Sequence, residues 1–254
     1  MRKERGGIFW SLNPRASGVE SGEWSMLDFQ HQPTDRVEAA KNVYECITKN
    51  KELFENSRKA DPGITLLYIR ESLWAENVIT ASKPAATDGR KSCLKNMMGY
   101  FKAFSEIGIS PNIKAFEEFD FSKDNYSGQI IVLANQIAIP VGHVTQLEDF
   151  VSKGGKLFID GLTGYYDENV HNRLLTRSPY EKLFGGKISE FKHSDEPFYY
   201  SFEDGGTIEG RLWRGLIRPA EKSVPIEKHH DGVVATHSTF GKGEVLWIPG
   251  LLGL

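Results

Sequence analysis

Residues 154–169 of this 254-residue chain read GGKLFIDGLTGYYDEN. A β-type run from Lys156 to Asp160 breaks at Gly161 and Gly164 into a tight turn, and Asp167-Glu168-Asn169 follows. In α/β proteins a strand ending in so sharp a turn is where a nucleophile is mounted or a phosphate is held. Asp160, Gly161 and Thr163 are therefore the first candidates for chemistry. Thr163 is the only possible nucleophile of the turn, and nothing local supplies it with a base.

A second group lies near the start. Glu20 and Glu23 fall between Trp10 and Trp24, and aromatic faces beside carboxylates suit a sugar, one stacking on the ring and the other accepting hydroxyl bonds. A glycosidase needs two carboxylates across a cleft. The alternative for the same residues is a packed loop with exposed acids.

Other signals are thin. The first strand is followed by Arg70-Glu71-Ser72-Leu73-Trp74, which lacks the glycines of a phosphate cradle, and Gly241-Lys242-Gly243 lies in a hairpin. His229 and His230 point to opposite faces of a strand, so at most one pairs with His237. Asp167, Glu168 and Asn169 lack the alternating ligands of a calcium loop and read as solvated. Cys46 and Cys93 fall in helical patterns and read as buried free thiols. No metal or cofactor is expected.

Charge is nearly balanced, 31 basic residues against 34 acidic, which argues against a nucleic-acid partner. No apolar run approaches the ~18 residues that span a bilayer, so no membrane partner is expected. The apolar stretch Ile8-Phe9-Trp10 is too short for a signal peptide, and a cytoplasmic location is expected over secretion. With 15 Phe, 9 Tyr and 5 Trp the chain can fill a sizeable core.

Several elements could position these residues. Ile8 to Trp10 reads as a short strand. A helix is expected from Asp35 toward Phe54, capped by Thr34. ITLLYI (64–69), NIKAFE (112–117), QIIVLAN (129–135) and KLFID (156–160) read as strands, the continuous apolar ones buried on both faces. Helices are expected between them, one carrying Leu94, Met97, Met98, Phe101, Phe104 and Ile107, another Val144, Leu147, Phe150 and Val151; residues 71–92 read as irregular. The alternation predicts an α/β fold, a doubly wound, mostly parallel, flavodoxin-like sheet over 61 to about 185. FYYSFE, TIEGRLW, GVVATHS and GEVLWIP read as added antiparallel strands near the C-terminus.

In class I glutamine amidotransferase-like domains an elbow like that of 159–164 carries a cysteine. Here it has none, so the geometry is present without its nucleophile. Several stretches together resemble the C-terminal half of a glycoside hydrolase family 42 β-galactosidase. Phe9-Trp10 followed by Gly18-Val19-Glu20, with Glu23 where the family has His, resembles its last barrel strand and loop. GYFKAFSEIGISPNIKAF, EDFVSKGGKLFIDGLTGYYDENV, SPYEKLFGGKISEF and FGKGEVLWIP resemble its second domain.

The resemblance implies the tail of a (β/α)8 barrel over residues 1–58 and an amidotransferase-like trimerisation domain over 59–254. It implies catalytic glutamates on earlier barrel strands, outside this chain. Trp10, Asn13, Arg15, Glu20, Glu23 and Trp24 would then line the mouth of the barrel as substrate-binding residues. The chain would be a non-catalytic assembly domain, a homotrimer in the full-length enzyme, with a galactoside or other glycan at the barrel. The lone strand at the start and the apolar ending LWIPGLLGL are expected of a piece of a longer polypeptide. Two alternatives stand beside this: a free-standing amidotransferase-like ligand-binding or interaction module, and an active amidotransferase or peptidase-like enzyme, which the missing elbow cysteine disfavours.

Overall fold

The structure, a computed structural model, describes residues 9–19, 24–58, 60–80, 91–173, 178–202 and 205–253. The chain divides into two compact units, Met1–Ala60 and Asp61–Leu254.

In the first unit the described residues form two helices, α1 (Asp35–Lys49) and α2 (Lys51–Asn56). The expected single helix breaks at Asn50, whose side-chain amide donates to the Cys46 carbonyl. Thr34 does not cap it as expected. Its hydroxyl donates instead to the Met26 carbonyl at 2.7 Å, closing the loop that leads in. Of the strand expected over Ile8 to Trp10, Ile8 lies outside the described residues, and Phe9 and Trp10 are not in a strand. Cys46, expected to be buried, is exposed on α1.

The second unit is built on one mixed sheet. Its strands are β1 (Ile64–Tyr68), β2 (Asn112–Ala115), β3 (Ile130–Leu133), β4 (Lys156–Asp160), β5 (Gly186–Ser201), β6 (Thr207–Pro219), β7 (Ser223–His229), β8 (Gly232–Phe240), β9 (Gly243–Ile248) and β10 (Gly250–Leu251). The order is β10-β6-β8-β9-β4-β3-β1-β2, with β5 added on β6 and β7 on β8. From β9 to β2 every pairing is parallel; from β8 outward every pairing is antiparallel. GEVLWIP, expected to add antiparallel to the rest, thus lies parallel to β4 as well as antiparallel to β8. Pairing of this kind is fixed by where the chain returns, not by the strand's own residues.

Helices α3 (Arg70–Thr80) and α4 (Ser92–Glu106) connect β1 to β2, and α5 (Val141–Ser152) connects β3 to β4. α3 occupies part of the stretch expected to be irregular: Ser72, Ala75 and Glu76 are its buried face, two of them polar, so its apolar period is faint. The short α6 (Glu181–Phe184) precedes β5. Alternate strand residues feed two cores. Leu67, Ile131, Leu133, Leu157 and Ile159 pack with Leu147, Phe150 and Val151 of α5, while Leu66 and Val132 pack with Met97, Phe101 and Phe104 of α4. Each fully buried side chain of this size contributes roughly 1.5–3 kcal/mol, so the sheet ends are held firmly where the elbow sits. Among the described residues no helix is long and apolar enough to cross a membrane.

Candidate functional site

The carboxyl ends of the parallel strands are where open α/β sheets receive ligands. Asp160 ends β4 there and is wholly buried. Asn96 of α4 donates to both its oxygens at 2.8 and 2.7 Å, the Tyr100 hydroxyl donates at 2.7 Å, and the backbone N–H groups of Asn135 and Leu252 donate at 2.7 and 3.4 Å. All these donors are neutral. Burial raises the Asp160 carboxyl to about 6, and the hydrogen bonds from Asn96, Tyr100 and the two amides pull the other way. Desolvation and then the Asp160 charge push the Tyr100 hydroxyl well up.

The turn after Asp160 is equally committed. Gly161 has φ +61°, and a methyl on it would overlap the Asn135 side chain. The Asn135 side-chain oxygen accepts the Leu162 N–H at 2.9 Å, and Asn135 itself sits at φ +49°. The Thr163 hydroxyl lies 2.6 Å from the Asp160 carbonyl and 3.2 Å from that of Leu133, and accepts the Gln136 N–H at 2.8 Å. Buried and fully engaged, it ties the β3 and β4 ends together. An attacking hydroxyl needs a neighbouring base to take its proton; here the proton is committed to backbone carbonyls, and the other described partner is an N–H donor.

The polar lattice continues under α3. The Glu76 carboxylate accepts from the Ser92 hydroxyl and from the Cys93 N–H at 3.2 Å. The Asn135 amide donates to Ser92 at 3.0 Å, and the Cys93 thiol donates to the Asn135 carbonyl at 2.9 Å. Desolvation first, then the Glu76 charge, push the Cys93 thiol well above its usual range, the reverse of an activated cysteine. At the point between β1 and β3 where the crossovers diverge, the Ile69 N–H donates to the Gln136 side chain at 2.7 Å and the Ser72 hydroxyl to the Ala138 carbonyl at 2.7 Å. The loops that would part around a ligand are stitched together.

A C-terminal strap covers the rest. Gly161 N–H donates to the Gly250 carbonyl at 2.9 Å, and Gly253 N–H to the Asn96 side-chain oxygen at 2.6 Å. Gly99 of α4 lies so near Gly253 that a methyl group would overlap its carbonyl.

The acidic loop departs from expectation. Asp167 is buried, not solvated: its carboxylate accepts from the Asn169 and His171 N–H groups at 2.9 Å each and pairs with Arg173. Glu168 is exposed and reaches the first turn of α5, accepting the Val141 N–H at 3.2 Å. His229 contacts Arg214 and lies 3.6 Å from Glu227, while His237 lies 3.8 Å from Glu244. Among the described residues no group of three or more His, Cys, Asp or Glu is placed to hold a metal ion.

In the first unit the Arg15 guanidinium lies 5.7 Å from the centre of the Trp10 ring, bringing two of the expected sugar-contacting residues together. Asn13 is exposed and its carbonyl accepts the Ser11 hydroxyl at 2.8 Å. Trp24 is exposed at φ +64°. Glu20 and Glu23 lie outside the described residues. Sequence reasoning named Asp160 but missed Asn96, Tyr100, Asn135 and Glu76. The available signal was an aspartate closing a strand of otherwise apolar run, a charge that must find donors once buried.

Solved structures share this fold. A GH42 beta-galactosidase from G. stearothermophilus, Gan42B in a catalytic-mutant form, superposes with a TM-score of 0.75 at 16% identity, over 95% of this chain and 35% of that one. The beta-galactosidase from Bacillus circulans sp. alkalophilus gives 0.74 at 14%, over 94% and 36%. The exo-beta-1,4-mannosidase Op5Man5 from Opitutaceae bacterium strain TAV5 gives 0.59 at 13%, over 92% and 38%. The chain thus spans little more than a third of the length of these solved relatives. Among curated proteins no sequence matches. Residues 63–251 match the family model described as the beta-galactosidase trimerisation domain, and by that match this chain belongs to the beta-galactosidase trimerisation domain family.

Proposed function

We propose that this chain is the non-catalytic, assembly-forming part of a β-galactosidase-like glycoside hydrolase. The observation that carries this reading is the state of the strand ends: Asp160 is saturated by four neutral donor groups and Thr163 is spent on the backbone, beneath a strap. Among the described residues, both Asp160 oxygens are taken up by these donors and the Thr163 proton is committed to backbone carbonyls. The parallel order β2-β1-β3-β4-β9 has the 2-1-3-4-5 pattern of flavodoxin-like sheets, which supports the amidotransferase-like expectation at the level of strand order.

In this reading residues 1–58 are the tail of a catalytic barrel, and Trp10, Asn13, Arg15, Glu20, Glu23 and Trp24 serve a sugar at its mouth. The bond-breaking carboxylates belong to the rest of the enzyme, which would cleave a terminal β-galactoside with retention using two carboxyl groups roughly 5 Å apart. The likeness to the mannosidase bears on the sugar, so a mannoside is tested beside the galactoside.

The test is turnover of 4-nitrophenyl β-galactoside and β-mannoside by the purified 254-residue chain. Release of nitrophenol at the buffer rate is expected with both. Release that is saturable in substrate and scales with protein would overturn the reading. In the full-length enzyme, Glu20→Gln is expected to weaken galactoside turnover, and unchanged kinetics would remove Glu20 from the site.

A further inference from the structure

The chain fills the carboxyl ends of the parallel strands, but a polar recess remains at their amino ends. Thr65 of β1 stands beside Asn112 of β2 and Ile131 of β3 in the ladder. By strand alternation Thr65, Asn112 and Lys114 therefore share one face of the sheet. The loop after β2 brings Phe119, Asp120 and Lys123 to the same corner, and Asp61 and Gln129 complete the lining. The Lys114 ammonium lies 5.7 Å from the centre of the Phe119 ring.

The polar groups here are unspent, the reverse of those around Asp160. Thr65 is only 5% exposed, yet its hydroxyl has no hydrogen-bond partner among the described residues. The Gln129 side-chain amide and the Lys114 and Lys123 ammonium groups have no hydrogen-bond or ion-pair partner among them either. One Asp61 oxygen accepts the Gly63 N–H at 3.0 Å and the Asn112 amide at 2.9 Å, and the other accepts no described donor. The Gly63 bond, opposed by burial and helped by Asn112, holds the Asp61 carboxyl below its ordinary value, so this acceptor persists at neutral pH. Asp120 is engaged through one oxygen, by the Ser122 N–H and hydroxyl at 3.0 and 2.6 Å.

The balance of charge selects the ligand. An inorganic anion drawn by Lys114 and Lys123 meets Asp61 and Asp120, and a cation drawn by the aspartates meets the lysines. A hydroxyl both donates and accepts, so adjacent hydroxyls of one uncharged molecule serve a carboxylate and an ammonium together. The cavity volume of about 40 Å³ holds roughly three water-sized groups, which suits a hydroxyl-bearing edge with the rest of the molecule at the mouth. We propose that this recess binds the vicinal hydroxyls of a small neutral polyol. Thr65, Asn112 and Gln129 hydrogen-bond it, and Asp61 and Lys114 fix its orientation. The site lies at the opposite end of the strands from Asp160 and does not depend on the assembly reading.

The test is an amide NMR titration of the 254-residue chain with D-galactose and myo-inositol, with sodium sulfate and glycine as charged comparators at constant ionic strength. Saturable shifts at Gly63, Thr65, Asn112 and Gln129 are expected with at least one of the polyols, and with neither comparator. Thr65→Val and Lys114→Met are each expected to weaken that binding at least tenfold, whereas Lys222→Met, an exposed lysine outside the recess, leaves it unchanged. Circular dichroism confirms that each variant is folded, and Gln129→Ala replaces any that is not. Absence of saturable shifts with both polyols, tighter binding of sulfate or glycine, or binding that survives the recess substitutions would overturn the proposal.

Discussion

The Asn96 side-chain amide lies 2.8 and 2.7 Å from the two carboxylate oxygens of Asp160, joining α4 to the end of β4 across 64 residues of sequence. The same asparagine accepts the Gly253 N–H at 2.6 Å. One side chain therefore holds the end of a central strand and the closing strap together, in the place where a doubly wound sheet would hold a ligand. The consequences are measurable.

Removing the carboxylate should be costly even though the group is itself costly to bury. Asp160→Ala leaves Asn96, Tyr100 and two backbone N–H groups facing an apolar methyl. Unsatisfied buried donors cost about 1–3 kcal/mol each before relaxation, so a loss of roughly 3 kcal/mol or more is expected in urea unfolding. A change under about 0.5 kcal/mol would mean that the network is not formed.

The same carboxyl predicts a pH dependence with a definite sign. Its folded value, about 6, lies above the ordinary 3.8, so the folded state binds the proton more tightly than the unfolded chain does. The stabilisation this gives is full below the unfolded value and is lost as pH rises through 6. The shift corresponds to an order of 1–3 kcal/mol between pH 4 and 7. Burial lowers His143 and His229, which act in the opposite direction on acidification. The parent is therefore compared with Asp160→Asn: its stability relative to the variant should grow as pH falls from 7 to 4. A flat or inverted difference would contradict the desolvated environment assigned to Asp160.

Gly99 should prove a specific contact and not a helix defect. Alanine is the better helix former by nearly 1 kcal/mol, but at this position its methyl would overlap the Gly253 carbonyl. Gly99→Ala is expected to lower hydrogen-exchange protection at Leu252 and Gly253 at least tenfold while β3 and β4 amides stay protected. Unchanged strap protection would show that the strap is not seated on α4.

The two thiols should separate sharply. Cys46 is exposed, whereas Cys93 is buried, bonded to the Asn135 carbonyl and pushed up by desolvation. Titration of the native chain with a thiol reagent should modify Cys46 promptly and Cys93 at least a hundredfold more slowly, until denaturant is added. Rapid labelling at Cys93 would reopen the possibility of a reactive centre.

Much of the frame is legible in the residues. ITLLYI and QIIVLAN declare buried parallel strands because both faces must be apolar, and they form β1 and β3; KLFID, read simply as a strand, forms β4 with Lys156 exposed. The helix expected to carry Leu94, Met97, Met98, Phe101, Phe104 and Ile107 on one side forms as α4. Met97, Phe101 and Phe104 pack on the sheet, but Leu94 and Met98 are exposed and Ile107 lies exposed past its end; the helix carrying Val144 to Val151 forms as α5. α3 escaped because its buried face includes Ser72 and Glu76, and β7 because Pro225 interrupts its ladder pattern. The parallel return of β9 could not be read from GEVLWIP, since the ladder partner lies some ninety residues away. The polar lattice was hidden for the same reason. Asn96, Asn135 and Asp160 have no shared motif and meet only after the sheet has formed. Arg15 beside Trp10 was nameable through family likeness, and the contact between them was not visible in the spacing.

The chain itself closes the carboxyl ends of the strands. The most direct measurement is an amide NMR titration of the 254-residue chain with galactose, a β-galactoside and a β-mannoside at millimolar concentration, read at Asn135, Gly161, Leu252 and Gly253. These four resonances are expected not to move. Saturable shifts centred on them would show an open, ligand-accepting crevice and would contradict this closure.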